Sequence, residues 1–208
     1  MNDIYTQFTT IVIIHLFAVM SPGPDFAIIL KQSMSHGRKT SMATSIGIGI
    51  GILFHVFFCV AGLGFIISKS TFLFNTIKFS GALYLIFLGC KSLFSSNSIN
   101  AKHDSNSKAP KLYSSFLVGL LTNVLNPKAT LFFLSLYAMI ITDQTSINIQ
   151  VAYGVWMSII TTLWFCFLSV FLTNKLITNR IEKFINTIQT GTGIILIFFA
   201  IKLLFSYQ

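Results

Sequence analysis

SMATSIGIGIGILFHVFFCVAGLGFII, residues 41–67, contains no Asp, Glu, Lys or Arg. A helix rises about 1.5 Å per residue, so roughly 20 apolar residues cross the hydrocarbon core of a bilayer. This stretch is long enough to span one. Five others resemble it in length and character: 4–31, 72–94, 113–141, 147–173 and 184–205. In lipid a backbone must satisfy its own hydrogen bonds, so each is read as a helix rather than a strand. Between the third and fourth lies SSNSINAKHDSNSKAP, residues 95–110, polar and without periodicity. The expected fold is an all-α membrane protein with six transmembrane helices as two inverted three-helix repeats. Residues 1–94 form the first repeat, 95–112 a flexible cytoplasmic linker and 113–208 the second repeat.

Composition points the same way. Charged residues are 9% of the chain, against about 25% in a soluble domain. There are 22 phenylalanines and five acidic residues. The net charge of +9 does not signal nucleic acid, because the basic residues sit in short gaps between apolar runs. Lys31, Arg38 and Lys39 fall in the first gap, Lys91, Lys102, Lys108 and Lys111 around the linker, and Lys175, Arg180 and Lys183 in the fifth. The opposite side carries only Lys69, Lys78 and Lys202. The positive-inside rule makes the first, third and fifth gaps cytoplasmic and puts both termini outside. Met1–Tyr5 hold Asp3 and no basic residue, so the first apolar run reads as a retained span rather than a signal peptide. The expected location is a bacterial inner (cell) membrane, multi-pass.

The two halves match in order. Gly81–Phe94 aligns with Thr192–Phe205, pairing Leu85-Ile86-Phe87 with Leu196-Ile197-Phe198 and Lys91 with Lys202. Gly47 pairs with Gly154, Phe58-Cys59 with Phe165-Cys166, and Pro24-Asp25 with Pro127-Lys128. Inverted repeats are a transporter architecture, with the binding site near midplane where they meet.

Two motifs fall at that place. Ser21-Pro22-Gly23-Pro24-Asp25 interrupts the first apolar run. Its prolines remove two amide donors and clash with the preceding turn, so the helix is broken or bent there. Asn123-Val124-Leu125-Asn126-Pro127-Lys128 interrupts the fourth. Lys128 is too deep to reach a headgroup, and a midplane charge needs a partner inside the bundle. Asp25, the sole acidic residue within a span, is its natural counter-ion. Substrate-binding candidates are therefore Pro22, Gly23, Pro24, Asp25, Asn123, Asn126, Pro127 and Lys128. Asp25 and His55 are candidates for proton coupling, and His15 carries no motif around it. Gly47, Gly49 and Gly51 read as a helix-packing face. Catalytic residues, cofactors and metal ligands are not expected, and the protein is not read as an enzyme. Cys59, Cys90 and Cys166 lie in apolar runs with no CxxC pair.

These motifs, with Gly81 through Gly89 and Gly47 with Gly51, resemble the lysine exporter superfamily, in particular its homoserine/threonine resistance branch. The resemblance covers nearly the whole chain and implies a proton-driven exporter of amino acids or related metabolites. It departs at Leu136-Tyr137-Ala138-Met139, where a proline and phenylalanine are usual, and at Phe198-Phe199, where a glycine is usual. The expected mechanism is alternating access. Lys128 holds the substrate carboxylate, Asp25 holds either the ammonium or a proton, and the two charges pair when the site is empty. Expected partners are an amino-acid substrate, protons and the lipid bilayer; a homo-oligomer is left open, and nucleic acid is not a partner. Three other readings stand beside this one. A scaffold or receptor without transport would have no use for a costly midplane charge. Export of another small solute or a metal ion would want several converging carboxylates or thiolates. A thiol–disulfide electron carrier would use Cys59 and Cys166, which fall at matching positions of the two halves.

Overall fold

The structure is a computed structural model that describes residues 2–94, 109–140, 145–173 and 181–205. Most of the expected linker, residues 95–108, lies outside the described residues, as do Lys175 and Arg180. The described chain forms α1 (Asn2–Met20), α2 (Pro24–His36), α3 (Arg38–Lys69), α4 (Thr71–Phe94), α5 (Leu112–Val124), α6 (Pro127–Ile140), α7 (Ile147–Leu172) and α8 (Ile181–Phe205). No strand occurs among the described residues.

Three of these helices are long and apolar enough to cross a membrane. Two further candidate spans are bent pairs. α1 and α2 meet at 52°, and α5 and α6 at 55°. The bends fall where the sequence places proline: Pro24 opens α2 and Pro127 opens α6, each at the first helical position, where a missing N–H is no loss. The last expected span is less complete. Its apolar part runs Thr187–Lys202, shorter than the others.

The first gap is tighter than the spacing suggested. α2 ends at His36 and α3 begins at Arg38, leaving Gly37 alone between them with φ 82°. That left-handed conformation suits glycine and strains other residues. Lys31, Arg38 and Lys39 are exposed around this turn.

α3 is the hub. It packs along α5 and α7, while α4 packs along α8 and α6. Gly47 of α3 lies against the backbone of Phe116, and Gly119 of α5 lies against Thr44. A Cβ at either place would overlap main chain, so small residues set the separation of α3 and α5. Glycine also sets the approach of α3 to α7, where Gly154 lies against Val56, and the contacts to α2 and the far end of α7 add hydroxyl pairs. Ser41 Oγ lies 2.7 Å from Ser33 Oγ of α2 and 2.7 Å from Ser169 Oγ of α7, and Ser45 Oγ lies 3.1 Å from Ser169 Oγ. All four serines are buried. The outer surface is apolar. Phe57, Phe58, Phe87, Leu163 and Phe198 are exposed, as expected of side chains that meet lipid rather than water.

Candidate functional site

The two helix breaks face each other. At the first, α1 ends at Met20 and Gly23 serves as the N-cap of α2, with extended backbone and no side chain to cap with. The break therefore leaves the carbonyls of Ser21 and Pro22 outside any helical ladder. Lys128, from the other break, reaches them: its Nζ donates to Ser21 O at 3.1 Å and to Pro22 O at 3.3 Å. An ammonium here meets the carbonyl-rich C-terminal end of α1, the favourable pole of that helix for a cation. Gly23 leaves room for this approach, since a Cβ there would stand 3.3 Å from both Cδ and Nζ of Lys128 and push the side chain back by a few tenths of an ångström.

At the second break Asn126 caps α6, its Oδ1 accepting from Lys128 N at 3.0 Å. The remaining amide of Asn126 donates to Asp25 Oδ2 at 3.3 Å, and Asn123 Nδ2 donates to the same oxygen at 2.9 Å. Asp25 lies in the first turn of α2, where the helix dipole favours a carboxylate. The two breaks are thus stitched together crosswise. The lysine of the second serves the carbonyls of the first, and the asparagines of the second serve the carboxylate of the first.

This arrangement corrects one expectation. Asp25 and Lys128 form no ion pair within 4.0 Å; their hydrogen bonds go to amides and carbonyls instead. The physical reason is that each break exposes polar groups of its own, and those groups lie nearer than the opposite charge.

Asp25 Oδ1 and Asn123 Oδ1 are buried without a hydrogen-bond partner. Both residues line a cavity of about 50 Å³, enough for a few water molecules or a small solute. Gly23, Asn126 and Lys128 line its polar end, while Phe26, Ile52, Phe132, Phe133 and Phe165 supply apolar wall. Of the predicted residues, Gly23, Asp25, Asn123, Asn126 and Lys128 meet here. Pro22, Pro24 and Pro127 shape the breaks without lining the cavity.

His55 stands behind the site. Its Nε2 is 3.0 Å from the carbonyl of Asn123, an acceptor only, so Nε2 carries the proton. The ring stacks on Phe133 at 5.7 Å. It anchors α3 to the end of α5 and does not line the cavity. Gly51 is beside it in function, because a Cβ there would come within 2.6 Å of Asn123 Oδ1. His15 and Thr161 do line the cavity; sequence reasoning ranks His15 below His55 for want of a motif and does not single out Thr161, which also sits in an apolar run. The two departures at Leu136–Met139 and Phe198–Phe199 lie away from the wall, as do the three free cysteines. Among the described residues no three His, Cys, Asp or Glu side chains converge as metal ligands do.

The family model of the LysE type translocators matches residues 16–207. The chain belongs to that family. It is 33% identical to an uncharacterized membrane protein, YrhP, of Bacillus subtilis, over 88% of this chain and 91% of that one. It is 31% identical to a threonine efflux protein of Salmonella typhi, over 91% and 97% of the two chains. A leucine efflux protein of Salmonella choleraesuis is 28% identical over 90% of each. No solved structure matches the chain. Membership makes this a multi-pass membrane transport protein, and the stitched breaks lie within the matched region.

Proposed function

We propose that this protein exports amino acids from the cytoplasm by proton antiport, with the cavity between the two helix breaks as its substrate site. The observation that carries the reading is unused capacity of two kinds at one cavity. Asp25 keeps Oδ1 open, and Lys128 engages two carbonyls with three N–H groups. A free amino acid presents an ammonium and a carboxylate a few ångströms apart. Its ammonium suits Asp25 Oδ1 and Asn123 Oδ1. Its carboxylate suits Lys128 and the first-turn amides of α2 and α6, where the helix poles favour an anion. The names of the threonine and leucine efflux relatives agree with this class.

Coupling follows from exclusion. Asp25 Oδ1 accepts either a proton or the substrate ammonium, so loading one displaces the other. Movement follows from the architecture. Two bends of 52° and 55°, each with proline at the first helical position and a charge at the second, support the reading of two inverted three-helix repeats that rock about the site. Six spans in a bacterial inner membrane with both termini outside complete the picture. A reporter fused after Gln208 that works only in the cytoplasm should then stay silent.

The deciding experiment is an efflux panel. Cells with and without the protein are loaded with labelled amino acids, and retention is followed while internal pH is recorded. Faster loss of at least one amino acid, with proton entry, is expected. Equal retention across the panel would overturn the reading.

A further inference from the structure

The charged end of the cavity leaves one polar group unexplained. His15 lies on α1, six residues before Ser21, or about 9 Å along the helix. It is 2% exposed. Its Nε2 is 3.1 Å from Thr161 Oγ1 of α7, and its ring sits among Phe132, Phe133 and Trp156 at centroid distances of 6.5, 6.3 and 5.9 Å. The ring is therefore fixed in place. Nδ1 is buried and has no partner, and both His15 and Thr161 line the cavity. Such a group is rare in a folded protein, because a buried nitrogen without a hydrogen bond has given up water for nothing.

We infer that His15, held by Thr161, is a specificity-determining residue that reads a hydroxyl on the side chain of the exported amino acid. The inference rests on the export reading and names the substrate class within it. Chemistry selects the hydroxyl. If Thr161 donates to Nε2, Nδ1 carries the proton and donates. If Nε2 donates to Thr161, Nδ1 accepts. A hydroxyl answers both states, as does a carboxamide, which is bulkier. A side-chain ammonium answers only the second and a carboxylate only the first. An aliphatic side chain answers neither and leaves Nδ1 buried and open. The small cavity restricts the hydroxyl to a short side chain.

Threonine and valine are the probe pair, since they share a shape and differ by hydroxyl against methyl. Uptake into everted vesicles carrying the full chain, driven by an imposed proton gradient, gives kcat/KM for each. A site that pairs a substrate hydroxyl discriminates against the analogue lacking it, and one such bond corresponds to roughly tenfold. The threonine-over-valine ratio is expected near tenfold in the wild type. It should fall to about one in His15→Phe and drop in Thr161→Val, where Nε2 loses its partner. His15→Asn, whose amide falls near the place of Nδ1, should restore part of it. A wild-type ratio at or below one overturns the inference while leaving export intact. So does a ratio that survives both His15→Phe and Thr161→Val. Should His15→Phe fail to reach the membrane, Thr161→Val and the wild-type ratio decide. Transport of no amino acid at all overturns the export reading itself, and this inference with it.

Discussion

The two helix breaks solve one problem in opposite ways. The second is self-sufficient: Asn126 caps the helix that follows it, through its own side chain. The first is dependent. Gly23 has no side chain to cap with, and the carbonyls of Ser21 and Pro22 wait for Lys128 to arrive from the other side. A break that caps itself holds its shape in any conformation of the protein. A break whose partner comes from elsewhere holds its shape only while the two stay together. The difference means that the first break senses the position of the second, and that Lys128 and the asparagines are the means by which it does so.

The largest test of this contrast removes the visiting lysine. Lys128→Met strips the partner from two carbonyls, and we expect a loss of about 1–3 kcal/mol for each together with loss of transport. Asp25→Asn should also abolish transport, with a smaller stability loss of about 1–3 kcal/mol. Because the two side chains bond to different groups, the double variant should be no better expressed than Lys128→Met alone. A simple ion pair would give the opposite result, recovery of membrane-inserted protein in the double variant.

A middle-sized test moves the donor rather than deleting it. Gly51→Ala would place a Cβ 2.6 Å from Asn123 Oδ1 and push that side chain off Asp25. Overpacking of this kind costs about 1–3 kcal/mol, and transport should fall several-fold. Gly62→Ala in the same helix meets nothing within 4 Å and serves as the matched control, measured by the same efflux assay. If the two behave alike, the position of Asn123 does not matter to the site.

The smallest test separates the two duties of Asn126. Asn126→Ala removes both cap and amide and should cost about 1 kcal/mol of stability. Asn126→Asp keeps a capping oxygen but replaces the amide donor to Asp25 with a second carboxylate. It should preserve thermal stability in detergent better than alanine does, yet transport as poorly. Equal transport by Asn126→Asp and wild type would show that the cap is the only duty.

Much of this was legible in the sequence. The apolar runs announced helices in lipid, and the prolines at 22, 24 and 127 announced the places where two of them bend. Residues from both motifs do share one cavity. The bonding of the two charges was not legible. Pairing Asp25 with Lys128 treats side chains as the only partners on offer, whereas Lys128 binds backbone carbonyls, which every residue has and no letter distinguishes. Gly37 showed that a gap can contain a single residue, since basic residues mark a membrane face but do not measure the loop that joins two helices. His15 ranks low in the sequence for a related reason. A histidine in an apolar run looks the same whether it fills a core or faces a hollow, and only the positions of Thr161 and the surrounding rings tell the two apart.

The buried serines where α3 meets α2 and α7 have a mechanical consequence. Ser41 has hydroxyl neighbours on both helices and the carbonyl of Ile29 at 3.4 Å, while Ser45 and Ser169 also have carbonyls of their own helices at 2.9 and 2.8 Å. Each hydroxyl can turn from one acceptor to another without being left alone, so a displacement there is met by rotation about a single bond. Against α5, glycine sits on main chain at two places, and a single hydroxyl, Thr44 Oγ1, lies 3.1 Å from both Thr40 O and Ser115 O. Where Ser41 and Ser45 meet α2 and the Ser169 end of α7, α3 thus rests on a lubricated bearing, while its glycines hold it closely to α5 and to the rest of α7.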